Sequence, residues 1–93
     1  MRVECEFFGP LRDVIGTKTI RQELSADATV ADLIGNLADE FGAVDEQVLN
    51  ESGEVSEGIN VTVEGKNVRQ LDGTTTALSD GVTVRFAPPV VGG

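Results

Sequence analysis

The sequence lacks histidine, tryptophan and tyrosine, and its 93 residues include only one cysteine and two lysines. Without histidine, neither Ser-His nor Cys-His nucleophile pairs can form, and the commonest metal ligand is missing. One cysteine excludes an internal disulfide framework and a multi-cysteine metal site. No glycine-rich phosphate-binding loop follows a strand, and the scattered carboxylates are interpreted as solvating groups rather than a catalytic pair. We therefore predict that the protein is not an enzyme by itself and binds no metal or cofactor.

Long apolar runs are also missing, so the sequence predicts no membrane-spanning helix. The amino terminus has no apolar signal core and begins directly with a strand-like pattern, so we expect a cytoplasmic protein. The length suits one domain, which buries roughly 60–65% of the surface that its unfolded chain exposes. Such a thin core leaves little room for an enclosed active site, and we expect a monomer when the protein is free.

Positive charge is scarce: 7 Lys and Arg residues face 16 Asp and Glu residues, for a net charge of −9. Binding to nucleic acid is disfavoured, because phosphates require a basic face. An acidic surface with little lysine is typical of proteins that work in molar salt, where the Debye length falls to about 3 Å and like charges barely repel. The alternative is a negative patch that docks a basic partner, and the two explanations are compatible.

The first 24 residues predict a β-hairpin. Apolar and charged residues alternate over 2–8, and the β-branched stretch 17–24 predicts a second, antiparallel strand after a helical turn at 11–15. Cys5 alternates with Val3 and Phe7, which predicts a buried cysteine. The alternative is a reactive thiol, which no neighbouring positive group or helix start favours.

A helix is predicted to begin after Thr29, which can cap the first amides while Asp32 reaches back to it. Gly42 is predicted to end this helix. Apolar residues recur along one helical face between these two ends. They are Val30, Leu33, Ile34, Leu37, Ala38 and Phe41.

The second half of the chain predicts three more strands. Residues 43–57 are acidic and irregular, with Val48 and Leu49 as core anchors, and a short helical turn is expected over 74–79. The predicted strands are 59–63, the short return strand 68–71, and 82–86. One amphipathic helix can cover one face of one sheet, so the fold class is α+β with two layers. The ubiquitin-like β-grasp fold, a mixed sheet packed on one helix, has this order of elements.

The last residues differ in composition from the rest. We predict a domain over 1–87 and a flexible tail over 88–93, because Pro88-Pro89 favour a stiff, extended exit from the last strand. Gly92-Gly93 lack side chains, so they can enter a channel too narrow for other residues. The alternative is a frayed terminus without function. A carboxylate is a poor acyl donor until it is activated, so a functional tail implies a nucleotide-using partner.

Several motifs resemble the prokaryotic ubiquitin-like sulfur carriers and modifiers, which include the small subunit of molybdopterin synthase, the thiazole-pathway carrier and the small archaeal modifiers. Val3 to Phe8 with Gly9-Pro10-Leu11-Arg12 is similar to the family's first strand and loop, and 29–37 is similar to its Thr-Val-x-x-Leu helix start. The ending 86–93 is close to the Phe-x-Pro-Pro-Val-x-Gly-Gly tail of the molybdopterin-synthase branch. The resemblance covers nearly the whole chain, and the tail is its specific part.

The resemblance implies that an activating enzyme uses ATP and magnesium to adenylate Gly93. The activated group would then become a thiocarboxylate or an isopeptide on a target lysine. Gly92 and Val91 would lie in the enzyme's channel. The segment implied to dock on the activating enzyme consists of Phe86, Pro88, Pro89 and Val90.

Three functional hypotheses follow. The first is a ubiquitin-like protein modifier that also acts as a sulfur carrier, for which Lys18 and Lys66 are the candidate self-modification acceptors. The second is the small subunit of molybdopterin synthase, which would bind the large subunit. The third is a non-covalent interaction module with an incidental Gly-Gly. The long acidic segment and the salt-adapted composition favour a halophilic archaeon, in which modifier and carrier roles can occur on one chain.

Overall fold

A five-stranded mixed sheet forms one layer of the molecule. The computed structural model describes residues 1–89 of the chain. The strand order is β2-β1-β5-β3-β4, with β1 and β5 parallel and the other neighbours antiparallel. The strands are β1 (Arg2–Phe7), β2 (Thr19–Glu23), β3 (Asn60–Val63), β4 (Lys66–Asn67) and β5 (Thr83–Ala87). The helices are α1 (Pro10–Ile15), α2 (Val30–Phe41) and α3 (Val44–Val48). The predicted α+β class, with a mixed sheet and one long amphipathic helix, is confirmed.

Helix α2 forms the second layer and begins where the sequence predicts. The Thr29 side chain accepts a hydrogen bond from the Asp32 amide at 3.4 Å, and the Asp32 carboxylate accepts one from the Thr29 amide at 2.8 Å. This reciprocal capping box satisfies two amides that would otherwise lack partners. Gly42 ends the helix with a φ of 69°, and its amide donates to the Ala38 carbonyl at 2.8 Å. The buried residues of α2 share one hydrophobic core with the inward side chains of the sheet.

The core confirms the predicted alternation of β1. Val3, Cys5 and Phe7 are all fully buried. Burial raises the pKa of the Cys5 thiol to about 12, with a smaller contribution from the negative charge of Glu4. The thiol therefore stays protonated near neutral pH, which agrees with the prediction of a core cysteine.

Two local predictions are wrong. Residues 68–71 do not form the return strand. Instead β4 is Lys66–Asn67, and Val68–Gln70 form a 3-10 turn in which the Arg69 amide donates a hydrogen bond to the Asn67 side chain at 2.9 Å. Residues 43–57 are not irregular throughout, since they contain α3 and a bridge that pairs Leu49 with Val55. The two core anchors predicted for this segment are confirmed, because Val48 is fully buried and Leu49 packs against the core.

Another predicted element differs in position. The helical turn expected over 74–79 is a 3-10 turn at Gly73–Thr75. Residues beyond it extend alongside the start of α2, where Ala77 forms a bridge with Thr29. The strand boundaries differ from prediction by one or two residues elsewhere, as expected of frayed element ends.

Candidate functional site: the exit of the C-terminal tail

Strand β5 brings the C-terminal residues to the end of the sheet. It lies between β1 and β3, and its final registered pairs are Phe86 with Phe7 and Ala87 with Asn60. The Phe8 amide donates a hydrogen bond to the Phe86 carbonyl at 2.9 Å. A central strand has partners on both edges, so the point at which the chain leaves the core is fixed on both sides.

Phe86 is part of the core, which corrects one predicted docking residue. Its side chain is fully buried, and its ring stacks on Phe7 with centroids 5.3 Å apart and planes 16° apart. A partner cannot contact this ring in the folded protein. The stacked ring anchors the strand from which the tail begins.

Pro88 and Pro89 are exposed, so the chain leaves the core directly after Ala87. Pro88 lines a shallow pocket of about 60 Å³ at this point. The other lining residues are Phe8, Pro10, Leu11, Gln47, Gly58 and Ile59. The predicted docking residue Val90, the channel residues Val91 and Gly92, and the reactive Gly93 lie outside the described residues. The proline half of the predicted docking segment is thus at the surface.

Arg69 stabilises one wall of this exit, and the sequence interpretation missed it. Its guanidinium donates to the Ile59 carbonyl at 2.8 Å, to the Asn60 side-chain oxygen at 3.0 Å and to the Ser56 carbonyl. Since Asn60 pairs with Ala87, these bonds hold the segment beside the end of β5. An isolated arginine in a turn gives no sequence signal for such a role.

The charges near β5 belong to exposed or half-buried side chains. Arg85 and Glu6 pair across the neighbouring strands with Nε and Oε1 2.5 Å apart, and this bond raises the pKa of the Arg85 guanidinium. On the same strand end, the Lys18 Nζ lies 5.3 Å from the centroid of the Phe8 ring. Lys66 is also exposed. It lies opposite Val63 in the β3–β4 register, and Val63 in turn lies opposite Val84 near the start of β5. The two lysines are therefore near opposite ends of β5.

Among residues 1–89, no group of three or more Cys, Asp or Glu side chains is arranged to hold a metal ion.

Within the same range, no helix has both the length and the apolar character needed to cross a membrane.

The sheet order, the single long helix and the central C-terminal strand define a ubiquitin-like β-grasp protein. The ThiS family model matches residues 5–93, and the chain belongs to this family. It is 41% identical to small archaeal modifier protein 3 of Haloferax volcanii over 93 residues, which cover 100% of both chains. It is therefore homologous to ubiquitin-like modifiers and to sulfur carriers.

Solved structures agree with this assignment. The crystal structure of SAMP1 from Haloferax volcanii is 30% identical and covers 100% of both chains with a TM-score of 0.82. The crystal structure of the BexX/CysO complex of Amycolatopsis orientalis contains a chain that is 26% identical, with a TM-score of 0.82. That match covers 98% of this chain and 99% of the other. A protein similar to this one thus forms a complex with another protein.

Proposed function

We propose that the protein is a ubiquitin-like modifier whose Gly93 carboxylate is adenylated by an activating enzyme and then joined to lysines of target proteins. The observation that supports this most is the 41% identity to a small archaeal modifier over the full length of both chains, a match that extends through Gly92 and Gly93 of this chain. We place the reaction in the cytoplasm, where the activating enzyme has ATP and magnesium.

The described part of the tail suits such a reaction. The central strand β5 holds the exit point, and the exposed Pro88 and Pro89 begin the segment beyond it. Four residues follow Pro89 and reach at most about 14 Å when extended, which would present Gly93 away from the core. Activation is necessary because a carboxylate oxygen is a poor leaving group. Adenylation breaks the α–β phosphate bond of ATP, joins the carboxylate to AMP and releases pyrophosphate.

Two fates of the adenylate follow from its chemistry. A lysine amine attacks the acyl carbon, forms the isopeptide bond and expels AMP. If sulfide-level sulfur supplied by a partner attacks the acyl carbon instead, it expels AMP and leaves a thiocarboxylate at Gly93. The ThiS family membership and the Phe-x-Pro-Pro-Val-x-Gly-Gly ending favour this second role, in which the chain would donate sulfur, as the small subunit of molybdopterin synthase does in complex with its large subunit.

The test uses the purified protein, the cognate activating enzyme and ATP in molar salt. Adenylation is measured as exchange of labelled pyrophosphate into ATP, and an intact mass first establishes that the chain isolated from cells ends at Gly93. Removal of Gly92 and Gly93 should abolish exchange and leave the thermal midpoint nearly unchanged, because neither residue has a side chain to bury. Gly93→Ala should reduce exchange less, since it adds one methyl group. Exchange that persists after the truncation would show that Gly93 is not the reactive residue.

A further inference from the structure

Gly9, in the connection from β1 to α1, has a backbone conformation that only glycine adopts readily. Its φ is 66° and its ψ is −147°, a combination that is strained for residues with a Cβ. Hydrogen bonds fix it from both sides: the preceding Phe8 amide donates to Phe86, and the Gly9 carbonyl accepts from the Arg12 amide at 3.1 Å. The connection is therefore fastened to the last strand at one end and to α1 at the other.

The missing side chain of Gly9 leaves space that the Pro88 ring occupies. A Cβ built on Gly9 would lie 3.0 Å from Pro88 Cγ and 3.2 Å from Pro88 Cδ. Both distances are shorter than an ordinary van der Waals contact between carbon atoms. The proline ring is closed and rigid, so it cannot move aside by a change of rotamer. A methyl group at Gly9 would therefore require the Pro88 ring to give way by a few tenths of an ångström, through ring pucker or a shift of the chain at Pro88.

Gly16 supplies a natural comparison at the other end of α1. It also has a positive φ, of 90°, yet a Cβ there would meet no heavy atom of the described residues within 4 Å. Backbone conformation alone therefore explains a glycine at 16. At Gly9 the same requirement coincides with contact to the first residue of the tail.

We propose that Gly9 is a positioning residue. Because it has no side chain, the Pro88 ring can pack against it, and this contact sets the direction in which residues 89–93 leave the domain. This inference rests on the proposed function, because the direction matters only if Gly93 must reach an activating centre. Five residues follow Pro88 and span at most about 18 Å, so the point and direction in which the tail starts limit the positions that Gly93 can reach. A displacement of about 1 Å at a reacting group can reduce a rate about a hundredfold.

The experiment compares Gly9→Ala with Gly16→Ala by pyrophosphate exchange at several concentrations of the protein. Both variants should have lower thermal midpoints, because both force alanine into a positive φ. Only Gly9→Ala should reduce kcat/KM for adenylation, by about tenfold or more. Gly9→Ala and Gly16→Ala are then each combined with Pro88→Ala, which removes the Cγ and Cδ atoms that the new methyl group would meet. The reference for these double variants is Pro88→Ala alone. Relative to that reference, adding Gly9→Ala should cause no further loss of kcat/KM.

The outcomes separate the inference from the function on which it rests. If the unaltered protein is not adenylated, the proposed function fails. If it is adenylated and the two glycine variants lose activity equally, or the Pro88→Ala background gives no rescue, the positioning role is wrong. Should Gly9→Ala not fold, proton NMR of the unaltered protein decides: nuclear Overhauser contacts from the Gly9 Hα atoms to the Pro88 ring are expected, and their absence overturns the inference.

Discussion

Residues 83–88, the last strand with the first tail residue, and residues 43–57, the acidic segment, differ in what holds them in place. The first region lies between two strands and is anchored by the fully buried Phe86. The second is a short helix and loop, fastened by Val44, Val48 and Val55, with five carboxylates and no cation. The structure of the first region should therefore depend mainly on side-chain packing, and that of the second mainly on the repulsion between its negative charges. Changes in the two should affect different properties.

The largest effect on stability is expected from Phe86→Ala. It removes the ring that stacks on Phe7 and leaves a cavity in the centre of the sheet, so the free energy of unfolding should fall by about 3–5 kcal/mol. Denaturant unfolding in molar salt measures this. Pro89→Ala, an exposed change one residue beyond this region, is the control and should alter stability by less than about 0.5 kcal/mol. Equal stabilities of the two variants would contradict the assignment of Phe86 to the core.

An intermediate effect is expected at Cys5. Cys5→Ser buries a hydroxyl where the thiol packs among apolar side chains, at a cost of about 1–3 kcal/mol. Cys5→Ala should leave adenylation and product formation intact, because the thiol has no part in the proposed chemistry. If well-folded Cys5→Ala protein formed neither conjugates nor thiocarboxylate, the assignment of Cys5 as chemically inert would be contradicted.

The free energy of unfolding should also depend on pH through the Cys5 thiol. Its pKa is about 12 when folded and 9.0 at its ordinary value, so above pH 9.0 the thiol ionises in the unfolded chain but not in the folded one. The thiol's contribution to stability is thus complete below pH 9.0 and is lost as the pH rises toward 12. Unfolding measured from pH 7 to 11 should show a steeper decline for the unaltered protein than for Cys5→Ala. Parallel declines would contradict this contribution.

The smallest effects are expected in the acidic segment, and they should depend on salt. Below roughly 0.1 M salt the Debye length exceeds about 10 Å, so the negative charges repel and the thermal midpoint should fall. The triple variant Glu51→Gln, Glu54→Gln, Glu57→Gln should reduce this dependence by several degrees, since about 1 kcal/mol corresponds to 4–8 °C in a small domain. Adenylation of this variant should be unchanged in molar salt.

The control for the salt prediction is Glu6→Gln. Glu6 pairs with Arg85, so its neutralisation removes an attraction and should not improve stability in dilute salt. Equal thermal midpoints of the unaltered protein in dilute and molar salt would refute the salt-adapted interpretation. The fold assignment does not depend on that result.

The contrast between these regions also explains what the sequence could predict. Strand β5 and helix α2 have regular apolar periodicity with turn residues or caps at their ends, so local pattern and tertiary packing agree. The acidic segment has few apolar residues, and its short helix depends on Val44 and Val48 reaching the core, which periodicity does not reveal. At 66–70, the Asn67 side chain caps a 3-10 turn where apolar residues suggested a strand.

The candidate site shows a second limit. Composition and resemblance identify the Gly-Gly ending, but alternation in a single strand does not say whether Phe86 faces a partner or the core. The contact of Gly9 with Pro88 joins residues far apart in the chain, and it depends on the parallel pairing of β1 with β5. Only the folded arrangement shows that one glycine satisfies both a backbone requirement and a contact.

The most direct test of the central claim is mass spectrometry of tryptic peptides from cells that make the protein. Trypsin cleaves after Arg85 and finds no later basic residue, so conjugation should leave the peptide Phe86–Gly93 on target lysines. The account predicts this branch on lysines of other proteins, joined through Gly93, together with free chains in which one terminal oxygen is replaced by sulfur. Terminal thiocarboxylate without any branch would replace the modifier function with that of a sulfur carrier. If every tail peptide ended in an unmodified Gly93 carboxylate, while the activating enzyme was present, the claim would be contradicted.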